Sequence, residues 1–161
     1  MQTRNGKLKI ISQVLQYEQD GEGSRGKADP RRDRKNKPEA ENIILTTDCT
    51  VKVEGDRMEI EYVESELTGM EGATTRICFD LSAPRLVSLL RQGSVSTALV
   101  FEEGKRHHCM YETPYFPIEL CVDTQALDNT LSFAGGRLYA AYDIEMNGIV
   151  AEKAKISITL R

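Results

Sequence analysis

The sequence is poor in the residues that most often carry chemistry. It has no tryptophan, and its two histidines are adjacent at His107 and His108. It contains no GxGxxG or P-loop, no nucleophile elbow and no HExxH motif, so it predicts no nucleotide, cofactor or metal site of those kinds. The cysteines are far apart and form no CxxC, which excludes the usual zinc sites. They are Cys49, Cys78, Cys109 and Cys121.

Long apolar runs and an excess of positive charge are also missing. No run approaches the length needed to cross a membrane, and the first residues show no apolar signal segment. We therefore expect a cytoplasmic protein with reduced, mostly buried thiols and no membrane contact. The net charge of −4 makes nucleic acid an unexpected partner.

What the sequence does contain is a succession of short alternating segments joined by turn residues. Strand patterns cover residues 8–17, 42–53, 58–63, 74–80, 85–91, 95–102, 106–113, 116–122, 138–146 and 154–160. Asn147-Gly148 is a strong signal for a tight hairpin. Residues 123–132, with Leu127 and Leu131 four apart, are predicted to form a short helix. The pattern is typical of a β-sandwich or an antiparallel barrel, and the consecutive hairpins favour an up-and-down β-barrel of nine or ten strands with at most one helix.

One stretch breaks this pattern. Residues 18–40 contain two prolines and neither aromatic nor β-branched residues, so they are predicted to form a charged mobile loop within a single domain of residues 1–161. Residues 31–37 carry five basic side chains and one acid. This run is either a contact for a partner or an anion, or a solvated surface insertion.

The stretch 62–75 is the candidate site. Met58, Ile60 and Tyr62 share one face of a strand, and two further steps on that face bring Glu64 and Glu66. Carboxylates on a core-facing parity need partners. We expect Arg91 or Arg106 to supply the positive charge, in a ligand site, a catalytic pair or a structural ion pair.

A second set of candidates lies around residue 110. His107, Tyr111 and Thr113 share one face of a predicted strand, so all three can point inward. An inward histidine can transfer protons or bind a ligand, and a buried tyrosine needs a partner for its hydroxyl group. The same residues also suit an ordinary amphipathic core. Adjacent His107 and His108 point to opposite faces, which disfavours a metal site made by the pair.

Several motifs together resemble a known family. YVESELTGMEGATT, LVFEEGKRHHCMYETPY and AYDIEMNG are similar to segments of the YwiB-like proteins, an uncharacterised bacterial family with a domain of unknown function. The resemblance runs from about residue 8 to residue 160. It implies a calycin-type, lipocalin-like β-barrel with an interior cavity and a cytoplasmic location. It implies no activity, and the insertion at residues 18–40 departs from the family pattern.

Three functions remain open from the sequence. The first is a non-enzymatic accessory protein that binds a small apolar or amphipathic ligand, with candidate contacts Tyr62, Glu64, Glu66, Arg91, Arg106, His107, Tyr111 and Thr113. The second is a hydrolase or isomerase that uses Glu64 and Glu66 as acid and base. The third is a protein-interaction module that acts through the basic loop. Oligomeric state is not predicted.

Overall fold

The computed structural model describes residues 1–17, 39–65 and 71–161. Within these ranges the chain forms ten β-strands and no helix, and it has no helix that could cross a membrane. The strands are β1 (Gln2–Gln16), β2 (Glu39–Glu54), β3 (Arg57–Val63), β4 (Thr74–Asp80), β5 (Ala83–Gln92), β6 (Ser96–Glu102), β7 (Arg106–Glu112), β8 (Pro117–Asn129), β9 (Gly136–Met146) and β10 (Ile149–Leu160).

The strands close into a single antiparallel barrel. Each strand pairs with the next in the chain, and β1 pairs with β10 to complete the circle. Ile10, for example, lies opposite Leu45 on one side and Ile158 on the other. Closure leaves no free sheet edge. The prediction of an up-and-down barrel with nine or ten strands is confirmed.

Apolar side chains at alternating positions fill the interior. One row of cross-strand neighbours runs around the inner wall and defines the packed middle of the barrel: Val51, Ile60, Ile77, Leu89 and Leu99. All five are at most 5% exposed. Such rows form because a period of two places every second residue on the inner face. We call this set the apolar row.

The two ends of the barrel differ. At one end, the connection between β8 and β9 folds inward, so that Leu131 joins the core and Phe133 packs beneath the guanidinium of Arg4. We call this the closed end. At the other end β1, β3, β5, β7 and β9 finish, and β2, β4, β6, β8 and β10 begin. We call it the open end, and it contains the candidate site.

The prediction of a helix over residues 123–132 is wrong. Strand β8 continues to Asn129 through a bulge between Thr124 and Ala126. The bulge inserts one extra residue. Thr124 points inward before the bulge, and the next residue to point inward is Leu127, three positions later rather than two. This break in the alternation hides the strand in the sequence and leaves Leu127 and Leu131 at a helix-like spacing.

Two tight connections depend on special backbone conformations. Asn147 and Gly148 both have positive φ, 54° and 77°, as a primed two-residue hairpin requires, so that prediction is confirmed. Gly136 has φ of 133°, and a Cβ at this position would lie 2.3 Å from the carbonyl oxygen of Thr130. Glycine is therefore required where the closed-end connection enters β9.

Most of the predicted charged loop lies outside the described residues. Its last two residues, Glu39 and Ala40, are described: they begin β2 and pair with Gln16 and Leu15. The strand therefore starts earlier than the composition suggests. The basic run at residues 31–37 is not described, and neither is Glu66.

Candidate functional site

The candidate site begins where β3 ends. Tyr62 and Glu64 continue the inward parity of Met58 and Ile60, and Glu64 is 3% exposed. Its backbone N–H donates to the carbonyl of Ala73 at 2.8 Å, so the pairing with the neighbouring strand extends beyond the last strand residue. The expected inward orientation of Glu64 is confirmed.

Polar side chains form a second row on the inner wall, one inward position away from the apolar row. Cross-strand pairing joins Tyr62 to Thr75, Thr75 to Arg91, Arg91 to Thr97, and Thr97 to Tyr111. We call these five residues the polar row. Three of them were predicted as site residues from the sequence. Thr75 and Thr97 were not, although each shares its parity with core residues of its own strand.

Glu64 interacts with three members of the polar row, Thr75, Arg91 and Tyr62. The Thr75 hydroxyl donates to Oε1 of Glu64 at 2.6 Å, and Arg91 Nε lies 3.5 Å from the same oxygen. The tyrosine beside them stays a neutral donor, because burial and then the charge of Glu64 raise the pKa of Tyr62. Of the two arginines proposed as partners for Glu64, the structure selects Arg91.

The Arg91 guanidinium is incompletely paired. Its side chain is 22% exposed, and Glu64 is its one ion-pair partner among the described residues. The Nε–H forms no hydrogen bond at that distance, and no hydrogen bond joins the Arg91 side chain to another described residue. The second oxygen of Glu64 also lacks a described donor. Buried polar groups are normally hydrogen-bonded, so these atoms need a partner beyond the described residues.

Across the interior from Arg91 lies a second carboxyl group, Glu152. It follows the inward parity of Ala154 and pairs with Gln16 on β1 and Ile144 on β9. Burial raises the pKa of Glu152, and the nearby charge of Glu41 raises it further by a smaller amount. The hydrogen bond with Gln16 and the charge of Arg91 act in the opposite direction but do not outweigh burial. Sequence reasoning missed Glu152, but the argument that identified Glu64 applies equally to an acid one inward step beyond Ala154.

A cavity of about 510 Å³ lies between these groups at the open end. Its polar lining comes from Gln16, Arg91, Thr97, Tyr111 and Glu152. Its apolar lining comes mainly from Leu99, Ile118, Leu120, Ile144 and Met146. Glu64 does not line the cavity but lies behind Arg91. The cavity therefore has one arginine and one carboxyl group facing each other across a largely aliphatic space.

The other predicted site residues lie elsewhere. Arg106 is on the outer face, where it forms an ion pair with Glu145 and contacts Cys121. His107 points inward but lies near the closed end, with Nε2 3.0 Å from Glu102. The Thr113 hydroxyl donates to the carbonyl of Phe116 at 2.8 Å, which stabilises the β7–β8 turn.

Further pockets lie mainly at the outer surface. A groove of about 560 Å³ is lined mainly by outward-facing residues of β1, β2, β9 and β10, together with Val14, Tyr142 and Ala154, and none of the buried glutamates or threonines lines it. The described residues contain no cluster of three or more side chains able to hold a metal ion. A smaller pocket of about 190 Å³ on the outer face is lined by Arg106 and the buried Glu145. The interior cavity is the place where the polar row adjoins a larger free volume.

Comparisons with known proteins agree with this architecture. The solved structure of the ywiB protein from Bacillus subtilis is similar, with a TM-score of 0.69 and 18% identity over 98% of this chain and 92% of that chain. At this identity the similarity concerns the fold. No curated protein matches the chain. The model of a domain of unknown function, DUF1934, matches residues 31–158, which is most of the sequence. The chain therefore belongs to the DUF1934 family of β-barrel proteins.

Proposed function

We propose that this barrel binds a small amphipathic molecule in the open-end cavity and catalyses no reaction on it. The observation that carries the proposal is a cavity of about 510 Å³ with aliphatic walls and a polar side. Binding sites for small molecules commonly have volumes of about 300–1,000 Å³, apolar walls and a few polar groups that orient the ligand.

The arrangement of the walls supports an elongated ligand with two unlike parts. Leu99 and Leu120 belong to the core and also line the cavity, so they offer an apolar surface to the body of the ligand. Arg91 and Tyr111 lie on the polar row at the same level and offer hydrogen bonds to its head group. An apolar body gains free energy from leaving water, and the polar row selects its orientation.

The position of Glu64 favours binding over catalysis. A catalytic pair of carboxylates needs access to the substrate and environments that separate the two pKa values. Glu64 is behind Arg91, accepts a hydrogen bond from Thr75 and does not line the cavity. Its role in this proposal is to hold Arg91 in place. Cytoplasmic location is part of the same proposal and is supported by four unpaired cysteines.

The absence of tryptophan allows a direct test. Tyr111→Trp places a single fluorophore in the cavity wall, and Tyr139→Trp places one on the outward-facing positions of β9. We expect a panel of medium-chain amphipathic molecules to include binders that shift the emission of the first variant and leave the second unchanged. Native mass spectrometry of the protein as purified then checks for a retained molecule of matching mass.

Two results would contradict the proposal. One is a panel in which no compound changes the emission of Tyr111→Trp or raises the melting temperature of the unmodified protein. The other is an equal response of both tryptophan variants, which places binding outside the cavity.

A further inference from the structure

We infer that the ligand is an amphipathic acid whose oxyanion is bound by Arg91, in competition with the carboxyl group of Glu152. This inference rests on the proposed binding function and specifies the chemistry of the ligand. It predicts selectivity for anions over alcohols and amines of the same chain length, and anion binding that tightens as the pH falls.

Arg91 carries the argument for an anion. A guanidinium has five N–H donors in a planar fork that matches a carboxylate or another oxyanion. Arg91 donates none of them to a described residue, yet its side chain is 22% exposed. Of the described residues that line the cavity, it alone carries a positive charge. A partly buried cation with free donors is a site for acceptor oxygens.

Glu64 does not meet this requirement by itself. Its contact with Arg91 is at the Nε side, 3.5 Å away, and the same Oε1 already accepts a hydrogen bond from Thr75. The contact holds the guanidinium against the wall and compensates part of its charge. Thr97 and Tyr111, which follow Arg91 along the polar row, add hydroxyl groups at the same level. Together these groups suit the oxygens of one head group.

Glu152 makes the site dependent on pH. The groups that face it are Gln16 from β1, Glu41 from β2, Arg91 from β5 and Tyr142 from β9. Burial raises the pKa of Tyr142 to about 12, so that ring stays neutral at ordinary pH. Burial and Glu41 raise the pKa of Glu152 above the usual carboxyl value. Ionised Glu152 repels an anionic ligand, whereas protonated Glu152 removes that charge and can donate a hydrogen bond to it.

The experiment compares four octyl compounds that differ in the head group: octanoate, octane-1-sulfonate, octanol and octylamine. Affinities are measured by calorimetry with the full chain. We expect both anions to bind at least about tenfold more tightly than the alcohol and the amine, which corresponds to one charge-assisted hydrogen bond or more. Octane-1-sulfonate stays ionised between about pH 8 and about pH 5.5, a range above the usual carboxyl pKa. Any gain in its affinity as the pH falls across this range therefore comes from protonation of a group in the protein.

Three variants locate the effect. Arg91→Lys keeps the charge beside Glu64 but lacks the fork, and it should lose most of the preference for anions while still binding octanol. Glu152→Gln should bind octane-1-sulfonate tightly with an affinity that no longer changes with pH. Glu112→Gln, an exposed carboxyl group beyond the cavity at the same end, should keep the pH dependence of the unmodified protein.

The outcomes separate the inference from the function on which it rests. Equal binding of all four compounds, or a preference for octylamine, overturns the anion assignment and leaves a ligand-binding barrel. An affinity for octane-1-sulfonate that rises identically in Glu152→Gln and the unmodified protein overturns the role of Glu152. Failure of all four compounds to bind counts against the cavity as a site for amphipathic molecules, and therefore against the proposed function itself.

Discussion

Two of the barrel's arginine–glutamate pairs lie on opposite sides of its wall, and they differ mainly in the exposure of the arginine. Arg91 and Glu64 are inside, with exposed side-chain fractions of 22% and 1%. Arg106 and Glu145 are outside, and the arginine is 54% exposed. The outer guanidinium donates a hydrogen bond to its glutamate, whereas the inner one donates none to a described residue.

The comparison shows how the surroundings of an ion pair decide its role. In the outer pair Glu145 is buried but Arg106 is 54% exposed, so water and salt reach the guanidinium and weaken the contribution of the pair to stability. The inner pair has lost that hydration and depends on the few groups around it. A polar group that no described residue pairs is costly at such a location, and a ligand that supplies the hydrogen bond would gain binding free energy from it. This is why the inner pair, and not the outer one, marks the candidate site.

The largest expected effect comes from removing the inner carboxylate. Glu64→Ala should lower the free energy of unfolding by about 3 kcal/mol, because Arg91 is left without its counter-ion and Thr75 without its acceptor. The double variant Glu64→Leu with Arg91→Met removes both charges and should recover most of that loss. Urea unfolding measures both. If the single variant unfolds at the same urea concentration as the unmodified protein, the inner pair does not differ from a surface pair.

A smaller and pH-dependent effect is expected at Glu152. Because its pKa is raised in the folded protein, the folded state binds more protons there than the unfolded chain. The stabilising contribution of this group is therefore present at low pH and is lost as the pH rises through the raised pKa. Glu152→Gln should melt at a higher temperature than the unmodified protein at neutral pH, and the difference should shrink as the pH falls.

A matched change at an exposed carboxyl group provides the control. Glu119→Gln, on the outer face of β8, should melt close to the unmodified protein and show no comparable convergence at low pH. A Glu152→Gln variant that is less stable at neutral pH would show that Arg91 and Gln16 outweigh burial at that position.

The outer pair has a different measurable consequence, which concerns a thiol. Cys121 is 6% exposed and lies beneath Arg106. Arg106→Ala uncovers Cys121 and should speed its alkylation in the folded protein, because access outweighs the loss of a cation that favours the thiolate. Lys105→Ala removes a neighbouring cation without uncovering the thiol and should not speed it. Burial raises the pKa of Cys49, Cys78 and Cys109, which slows their reaction. Peptide mapping after timed alkylation gives each rate, and unchanged reactivity of Cys121 would mean that the backbone covers it.

The smallest expected effect is on the stability of the outer pair itself. Arg106→Ala should change the melting temperature less than Glu64→Ala does, because Arg106 is 54% exposed and salt already screens its charge, even though Glu145 is buried. The change should diminish further in high salt. Thermal unfolding at low and high ionic strength measures this. A large loss that is independent of salt would show that Arg106 stabilises the barrel by packing rather than by charge.

The predictable part of the fold was its local alternation. Strands such as β3 and β9 present every second residue to the core, and a period of two can be read directly from the residues. The helix prediction at residues 123–132 failed at a bulge, where one inserted residue reverses the parity. A bulge is stabilised by the strands on either side, so a window of local sequence does not reveal it.

The candidate site was predicted in part for the same reason. Glu64 and Tyr62 follow the core parity of their own strand, and their inward orientation is local information. Glu152 has the equivalent pattern beyond Ala154 and was available to the same argument. The local sequence places His107 and Thr113 on one face of a strand but does not show whether they reach the same site. Their strand runs from the closed end to the open end, so the two side chains have different surroundings.

The sequence by itself determined that the chain forms a barrel of antiparallel strands and that an acid lies on its inner face, because strand periodicity and turn chemistry act between near neighbours. Tertiary structure alone decided that Arg91 rather than Arg106 meets Glu64. It also decided that Glu152 lies across from Arg91 and that a cavity remains between them. Register around a closed barrel is set by all ten strands together, and unfilled volume depends on how their side chains pack, so neither is encoded in any single stretch of the chain.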